Sequence, residues 1–198
     1  QVVAAKVTDK LGMSDTGFSV SAEKAARYAR PLPSDPDTGK PQARSPELTQ
    51  PLKFECGGGC AASTASDYLR FALMLMNGGR AGEARLLGPR TVSYMLSDQL
   101  GPNIRNLVGN ADPTRADYGF GLGVSNEPGH REISHTGATA GYRALLTRKL
   151  DDDLSIAILC NRGDAPLNTL ADKVAAAFGS IVPPPPSTTT NEPVSILG

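Results

Sequence analysis

Ile133-Ser134-His135-Thr136-Gly137-Ala138-Thr139-Ala140-Gly141 opens as a strand, carries a polar triplet ending in glycine, and stops at a second glycine. Glycine lets another molecule approach the main chain closely, so a strand edge of this kind presents backbone N–H groups to a substrate. His135-Thr136-Gly137 therefore reads as a wall of an active site, although these residues hold no convincing nucleophile. The plainer reading, a strand edge with a surface histidine, is all that three residues alone support.

Around this stretch the hydrophobic period is two. Residues 118–125, 133–138, 142–149 and 154–161 read as strands, the last two joined by a turn at Asp151-Asp152-Asp153. In the last of them Leu154, Ile156 and Ile158 point one way and Ala157 and Leu159 the other. Such a sheet needs a covering layer on both faces, even with antiparallel connections.

Before residue 117 the period is helical. Ala4 to Leu11 reads as the end of a helix stopped by Gly12, and 21–29 as a short helix capped by Ser21 and closed by Pro31. Thr64 and Asp67 cap the strongest helix, where Leu69, Ala72, Leu73 and Met76 recur at i, i+3, i+4, i+7. Tyr68, Phe71 and Leu75 make a second stripe, and Asn77-Gly78-Gly79 ends the run. A short helix follows Pro89, with Val92, Met95 and Leu96 inward. After the last strand Asp164 is expected to cap a helix with Pro166 in its first turn. Leu167, Leu170, Val174 and Phe178 would line one face of that helix, with Gly179 as the stop. The prolines of 31–53 mark a surface excursion, and the Pro/Thr-rich 181–198 an extended tail after a domain portion at 1–180.

Composition sets bounds. Hydrophobic residues make up 39% of the 198 and charged residues 20%, as in globular chains. Twenty Lys plus Arg balance twenty Asp plus Glu, so no global field favours nucleic acid. No apolar run is long enough for a transmembrane span, and the first residues do not read as a signal peptide. Cys56 and Cys60 bracket three glycines and are free to pair, which would fit a periplasmic or secreted protein, with the cytoplasm left open. Cys160 reads as a small buried hydrophobe. A two-thiol metal site ranks below buried or paired thiols because the four-ligand spacing is missing, and His130 with His135 lacks acidic or thiol company. No metal or cofactor is expected.

Four stretches, taken in order, carry a likeness. Leu11-Gly12-Met13-Ser14-Asp15-Thr16-Gly17-Phe18 comes first, then Gly57-Gly58-Gly59 through Ser63 to Phe71. Tyr118-Gly119-Phe120-Gly121-Leu122-Gly123 and His135-Thr136-Gly137 follow. The series, over roughly 7–178, resembles the C-terminal half of the serine β-lactamase-like family, which includes class C β-lactamases, D-alanyl-D-alanine carboxypeptidases and related esterases. That resemblance implies an α+β fold, a mainly antiparallel sheet flanked by helices, that is incomplete without an N-terminal segment.

It also implies acyl transfer through a serine ester. In such enzymes a Ser-x-x-Lys serine attacks the carbonyl, and Lys and a Tyr from Tyr-x-Asn move protons. Under the resemblance Ala138 supplies an oxyanion N–H, and His135 supplies charge or relays a proton. Thr136 binds a substrate carboxylate or carbonyl, and Gly137 keeps the cleft clear. Arg162 is a candidate for a substrate carboxylate, with a solvated strand-end arginine as the plainer reading.

The departures concern the nucleophile. No tyrosine here is followed two residues later by Asn, and the one literal Ser-x-x-Lys, Ser21 to Lys24, reads as a helix cap beside a solvated lysine. The nucleophile, Lys and Tyr are therefore expected from an N-terminal segment or chain that completes the fold, with a small molecule or peptide as substrate. A non-catalytic module binding peptide or glycan ends is the competing reading. A catalytic Ser21–Lys24 pair is a third, and it requires Ser21 near Ala138.

Overall fold

The computed structural model describes residues 2–32, 38–40, 57–100, 117–139 and 141–178. Most of the proline-rich excursion, Cys56, Gly179 and the 181–198 tail lie outside the described residues. A π-helical turn, Ala4–Thr8, runs into the short helix α1 (Asp9–Leu11) and ends at Gly12, whose φ of +63° is the left-handed stop that glycine permits. A 3-10 turn, Ala22–Arg27, precedes α2 (Ala65–Met76), the ribbon β1 (Arg80–Ala81) and β2 (Ala84–Arg85), and α3 (Pro89–Met95). Then come β3 (Asp117–Tyr118), β4 (Gly123–Ser125), β5 (Glu132–Thr139), β6 (Tyr142–Lys149), β7 (Leu154–Cys160) and α4 (Leu167–Ala177).

Strands β3 to β7 form one antiparallel sheet in chain order. The expected α+β arrangement of an antiparallel sheet flanked by helices is what the chain adopts. Leu145, Leu154, Ile156 and Ile158 pack with Leu167, Ala171 and Ala175 of α4 on one face. Ile133, of opposite parity in the ladder, packs on the other face with Leu11, Met13, Leu122, and Met74 and Leu75 of α2. Burying side chains such as Leu145 and Ile156 contributes roughly 2–3 kcal/mol each. At the far end of the β5–β6 pair, Arg131 donates its N–H and Nε to Asp151, at 2.9 and 2.7 Å, and so ties down the aspartate turn.

Several local expectations are corrected. Residues 118–125 are not one strand: the chain turns between β3 and β4, with the Gly119 N–H donating to the Leu122 carbonyl at 2.8 Å. A Cβ on Gly119 would lie 2.1 Å from the Met95 carbonyl oxygen, so only glycine lets this turn dock on the end of α3. Thr64 caps α2 as expected, accepting from the Asp67 N–H, but Leu73 is 49% exposed and Met74 takes the inward place. The reason is Asp67, which is buried and accepts from the Asp15 N–H at 2.8 Å and the Thr16 hydroxyl at 3.0 Å. That anchor rotates the helix, and Met74, two turns later, shares its face.

Ser21 precedes a 3-10 turn, and its hydroxyl makes no cap bond. Lys24 and Arg27 hold the turn instead by gripping Asp15, at 3.0 and 2.6 Å. Asp164 does not cap α4, which starts after Pro166, because its carboxylate is committed to Arg162. On α4 the inward residues are Leu167, Ala171 and Ala175, while Leu170, Val174 and Phe178 form an adjacent stripe that stays 38%, 37% and 72% exposed.

Candidate active site

The site is built on the edge of β5. Strand β4 pairs with β5 only at Glu132, Ile133 and Ser134, whereas β6 pairs with all of β5 from Glu132 to Thr139. Among the described residues, then, His135 to Thr139 have a ladder partner on one side and an open edge on the other. The ladder's alternation shows which groups face that edge. The Leu150 N–H donates to the Arg131 carbonyl at 2.8 Å, so odd-numbered residues of β5 exchange bonds with β6. The N–H groups of Thr136 and Ala138 point the other way, off the open edge.

Side chains alternate across the sheet. His135 lies with Ile133 on the α2 face, and Thr136 lies with its partner Leu145 on the α4 face. A ligand seated level with the sheet on this edge meets the imidazole from one side and the hydroxyl from the other. Gly137 pairs with Ala144, whose Cβ would be 3.4 Å from any Cβ placed at 137, so this row of the sheet is kept thin. The Tyr118 ring stands 6.4 Å from the His135 ring.

Arg162, one residue beyond Asn161 at the end of β7, is not free for a substrate carboxylate. Its Nε and Nη2 both donate to Asp164, at 2.9 and 2.6 Å, and this pair raises the guanidinium pKa and lowers that of Asp164. Arg162 also bridges Leu32, and Asn161 donates to the Arg30 carbonyl, so this corner pins the segment that follows the 3-10 turn.

Two further groups bear on proton transfer. Tyr142, paired with Thr139, donates to the Ala29 carbonyl at 2.6 Å. Burial, and then the neighbouring Tyr28, push its pKa well up, which leaves no phenolate to act as a base. Lys24 of the Ser-x-x-Lys match donates to the Ser14 carbonyl and pairs with Asp15, so its ammonium is committed to these two. Thr16, Ser63 and Asp67 form a hydrogen-bonded chain, although in the sequence only Asp67 reads as a local feature, a helix cap. Its contacts span some fifty positions and leave no local pattern to read.

Cys60 is disulfide-bonded, so it is no thiolate for the two-thiol site weighed at Cys56 and Cys60, and Cys160 is free and half-buried in β7. Among the described residues no three His, Cys, Asp or Glu side chains gather as a cation site, and no helix is long and apolar enough to cross a membrane.

Known proteins share this architecture. A penicillin-binding protein homologue from Pyrococcus abyssi superposes with a TM-score of 0.65 at 18% identity, covering 89% of this chain and 36% of that one. D-amino acid amidase from Ochrobactrum anthropi gives 0.63 at 19% identity, over 89% of this chain and 51% of its own. A class C beta-lactamase gives 0.62 at 14%, over 90% and 51%. At these identities the likeness is one of fold. Two Mycobacterium tuberculosis proteins, Protein Rv1367c and Uncharacterized protein MT1414, are each 35% identical over 126 residues, 63% of this chain. The match spans 31% of their length. The family model described as Beta-lactamase matches residues 1–179, and the chain belongs to that family.

Proposed function

We propose that this chain is the C-terminal part of a serine hydrolase that cleaves an amide or ester (a β-lactam, a D-alanyl peptide or a carboxylic ester) through an acyl-serine intermediate. The observation that carries the proposal is the open β5 edge, where the Ala138 N–H points outward beside His135 and Thr136. A serine oxygen adds to the substrate carbonyl, and the Ala138 N–H receives the developing oxyanion. The C–N or C–O bond then breaks, the leaving group takes a proton, and water later repeats the attack on the acyl-serine. His135 supplies positive charge or passes the proton, Thr136 holds the substrate carboxylate or carbonyl, and Gly137 keeps the cleft open. Arg162 takes a substrate carboxylate only by exchanging it for Asp164.

The serine, with Lys and Tyr, comes in this reading from an N-terminal segment or chain that completes the fold. The exposed Leu170, Val174 and Phe178 stripe supports a missing layer over α4, and β7 pairs only with β6 among the described residues. The disulfide at Cys60 supports a periplasmic or secreted setting.

Treatment of the complete protein with a serine-reactive phosphonate or labelled penicillin, followed by peptide mapping, tests the proposal. An adduct on a serine outside these 198 residues is the expected result. An adduct on Ser21 would move the nucleophile into this chain, and no adduct with either probe would favour a binding module.

A further inference from the structure

Three aromatic side chains crowd the β3 end of the candidate site. Tyr94, Tyr118 and Phe120 are 59%, 38% and 51% exposed, although each ring carries enough apolar area to favour burial. Tyr94 and Phe120 pack edge to face, with centroids 5.3 Å apart at 73°. Tyr118 stands against His135, the first residue of β5 beyond the cover of β4. Tyr118 thus borders the open edge that carries Ala138, and Gln99, bonded to the Tyr118 and Tyr94 carbonyls, brings the Tyr94–Phe120 pair to the same end of the sheet.

Their backbones are fixed. The Phe120 N–H donates to the Met95 carbonyl at 2.9 Å, and Gly119 approaches that carbonyl more closely than any side chain would permit. Gln99 donates its N–H to the Tyr118 carbonyl at 2.9 Å and its Nε2 to the Tyr94 carbonyl at 3.0 Å. These ties hold the segments of α3 and of the β3–β4 turn that carry the rings side by side, as one ledge.

We infer that this ledge receives a bulky apolar group, aromatic or branched aliphatic, of the substrate whose carbonyl lies at Ala138. The inference rests on the acyl-transfer reading and adds a substrate class to it. A pre-positioned apolar surface beside convergent polar groups is how a small-molecule site fixes orientation, and an exposed aromatic cluster beside a reactive edge has that form.

The complete enzyme is assayed with two matched pairs of esters. One pair differs in the acyl half, phenylacetyl against acetyl; the other differs in the leaving alcohol, benzyl against methyl. The parent enzyme is expected to favour the bulky member of at least one pair. Tyr94→Ala with Phe120→Ala is expected to cut that preference about tenfold, with kcat/KM for the small member unchanged. Preferences that survive the double variant overturn the ledge and leave the hydrolase reading standing. So does an equal fall for bulky and small members, which would mark the rings as structural. No hydrolysis of any of the esters by the parent, together with no adduct from the phosphonate or the labelled penicillin, would overturn both readings together.

Discussion

Ala138→Pro removes one backbone N–H and leaves the bonds from β5 to β6 in place, because that N–H points off the open edge. Proline is tolerated on a strand whose N–H faces outward, and Gly137 before it is already extended, as a residue preceding proline prefers. Stability is expected to fall by about 1 kcal/mol or less. Turnover is another matter. A donor aimed at the developing oxyanion is worth about 3 kcal/mol, which at 1.36 kcal/mol per decade is a loss of roughly 160-fold in kcat. KM should hardly move, since the bond strengthens only in the transition state.

Gly137→Pro is the contrast. Its N–H belongs to the β6 ladder, and the new ring carbon would press on Ala144, so this change removes stability as well as activity. Ester hydrolysis by the complete enzyme, with urea unfolding in parallel, separates the two effects. Lactic acid at position 138 deletes the same N–H without a ring and is expected to reproduce the kcat loss. A kcat within about threefold of the parent would refute the oxyanion assignment. Unfolding of Ala138→Pro as severe as that of Gly137→Pro would refute the register argument itself.

Asp67→Ala strands the Asp15 N–H and the Thr16 hydroxyl without their acceptor and is expected to lower stability by about 3 kcal/mol, read from the urea midpoint. Gly119→Ala drives a Cβ onto the Met95 carbonyl, for an expected loss of about 2–4 kcal/mol in the same assay. Hydrogen bonds from Arg27, then Lys24, lower the Asp15 pKa to about 2. With a folded pKa below the unfolded value of about 3.9, Asp15 contributes stability above pH ~4 and loses it as pH falls towards 2. The stability gap between the parent and Asp15→Asn should therefore be constant from pH 5 to 6 and close below about pH 2. Val174→Lys, on the exposed α4 stripe, is expected to leave this chain's own unfolding within about 0.5 kcal/mol of the parent. Reconstitution of hydrolysis from separately expressed halves is expected to fall at least tenfold, and an unchanged yield would sink the docking role of α4.

What the sequence made legible was local. The strands at 133–138, 142–149 and 154–161, the aspartate turn and the Thr64 cap each follow from a short pattern, a period of two or a cap three residues from its donor. What it hid depended on distant partners. The rotation of α2 looked set by Leu69 and Leu73, yet the contact of Asp67 with Thr16 decides it. On α4 the large residues Leu170, Val174 and Phe178 read as inward, while the sheet takes the small Ala171 and Ala175, which carry little hydrophobic signal. Gly119 and Gly121 are visible in the sequence, but the break in 118–125 is plain only in the structure, where Gly119 meets the Met95 carbonyl and Gly121 takes a φ of +75°. The site was half legible: the triplet named the strand and the resemblance pointed to Ala138, while the physical reason, an N–H that turns outward where that of Gly137 does not, lies in the ladder register.

Under the acyl-transfer proposal, the open edge of β5 and the exposed stripe on α4 lie apart in the sheet plan, and that separation constrains any segment that would complete the site. The open edge belongs to β5, while the outer edge of β7 and the stripe on α4 lie two strands away, roughly 10 Å across at the usual strand spacing. A strand added beside β7, or a helix laid over α4, cannot also occupy the β5 edge. In that proposal the part that docks and the part that carries the nucleophile are distinct pieces of the added segment, the second passing over a face or an end of the sheet. Damage to the two should then separate cleanly. Val174→Lys should abolish adduct formation with a serine probe because the nucleophile never arrives, whereas Ala138→Pro should leave docking intact and slow the chemistry that follows. If Ala138→Pro prevented docking as well, the β5 edge would be a strand-pairing surface, and the N–H at 138 would belong to assembly instead of catalysis.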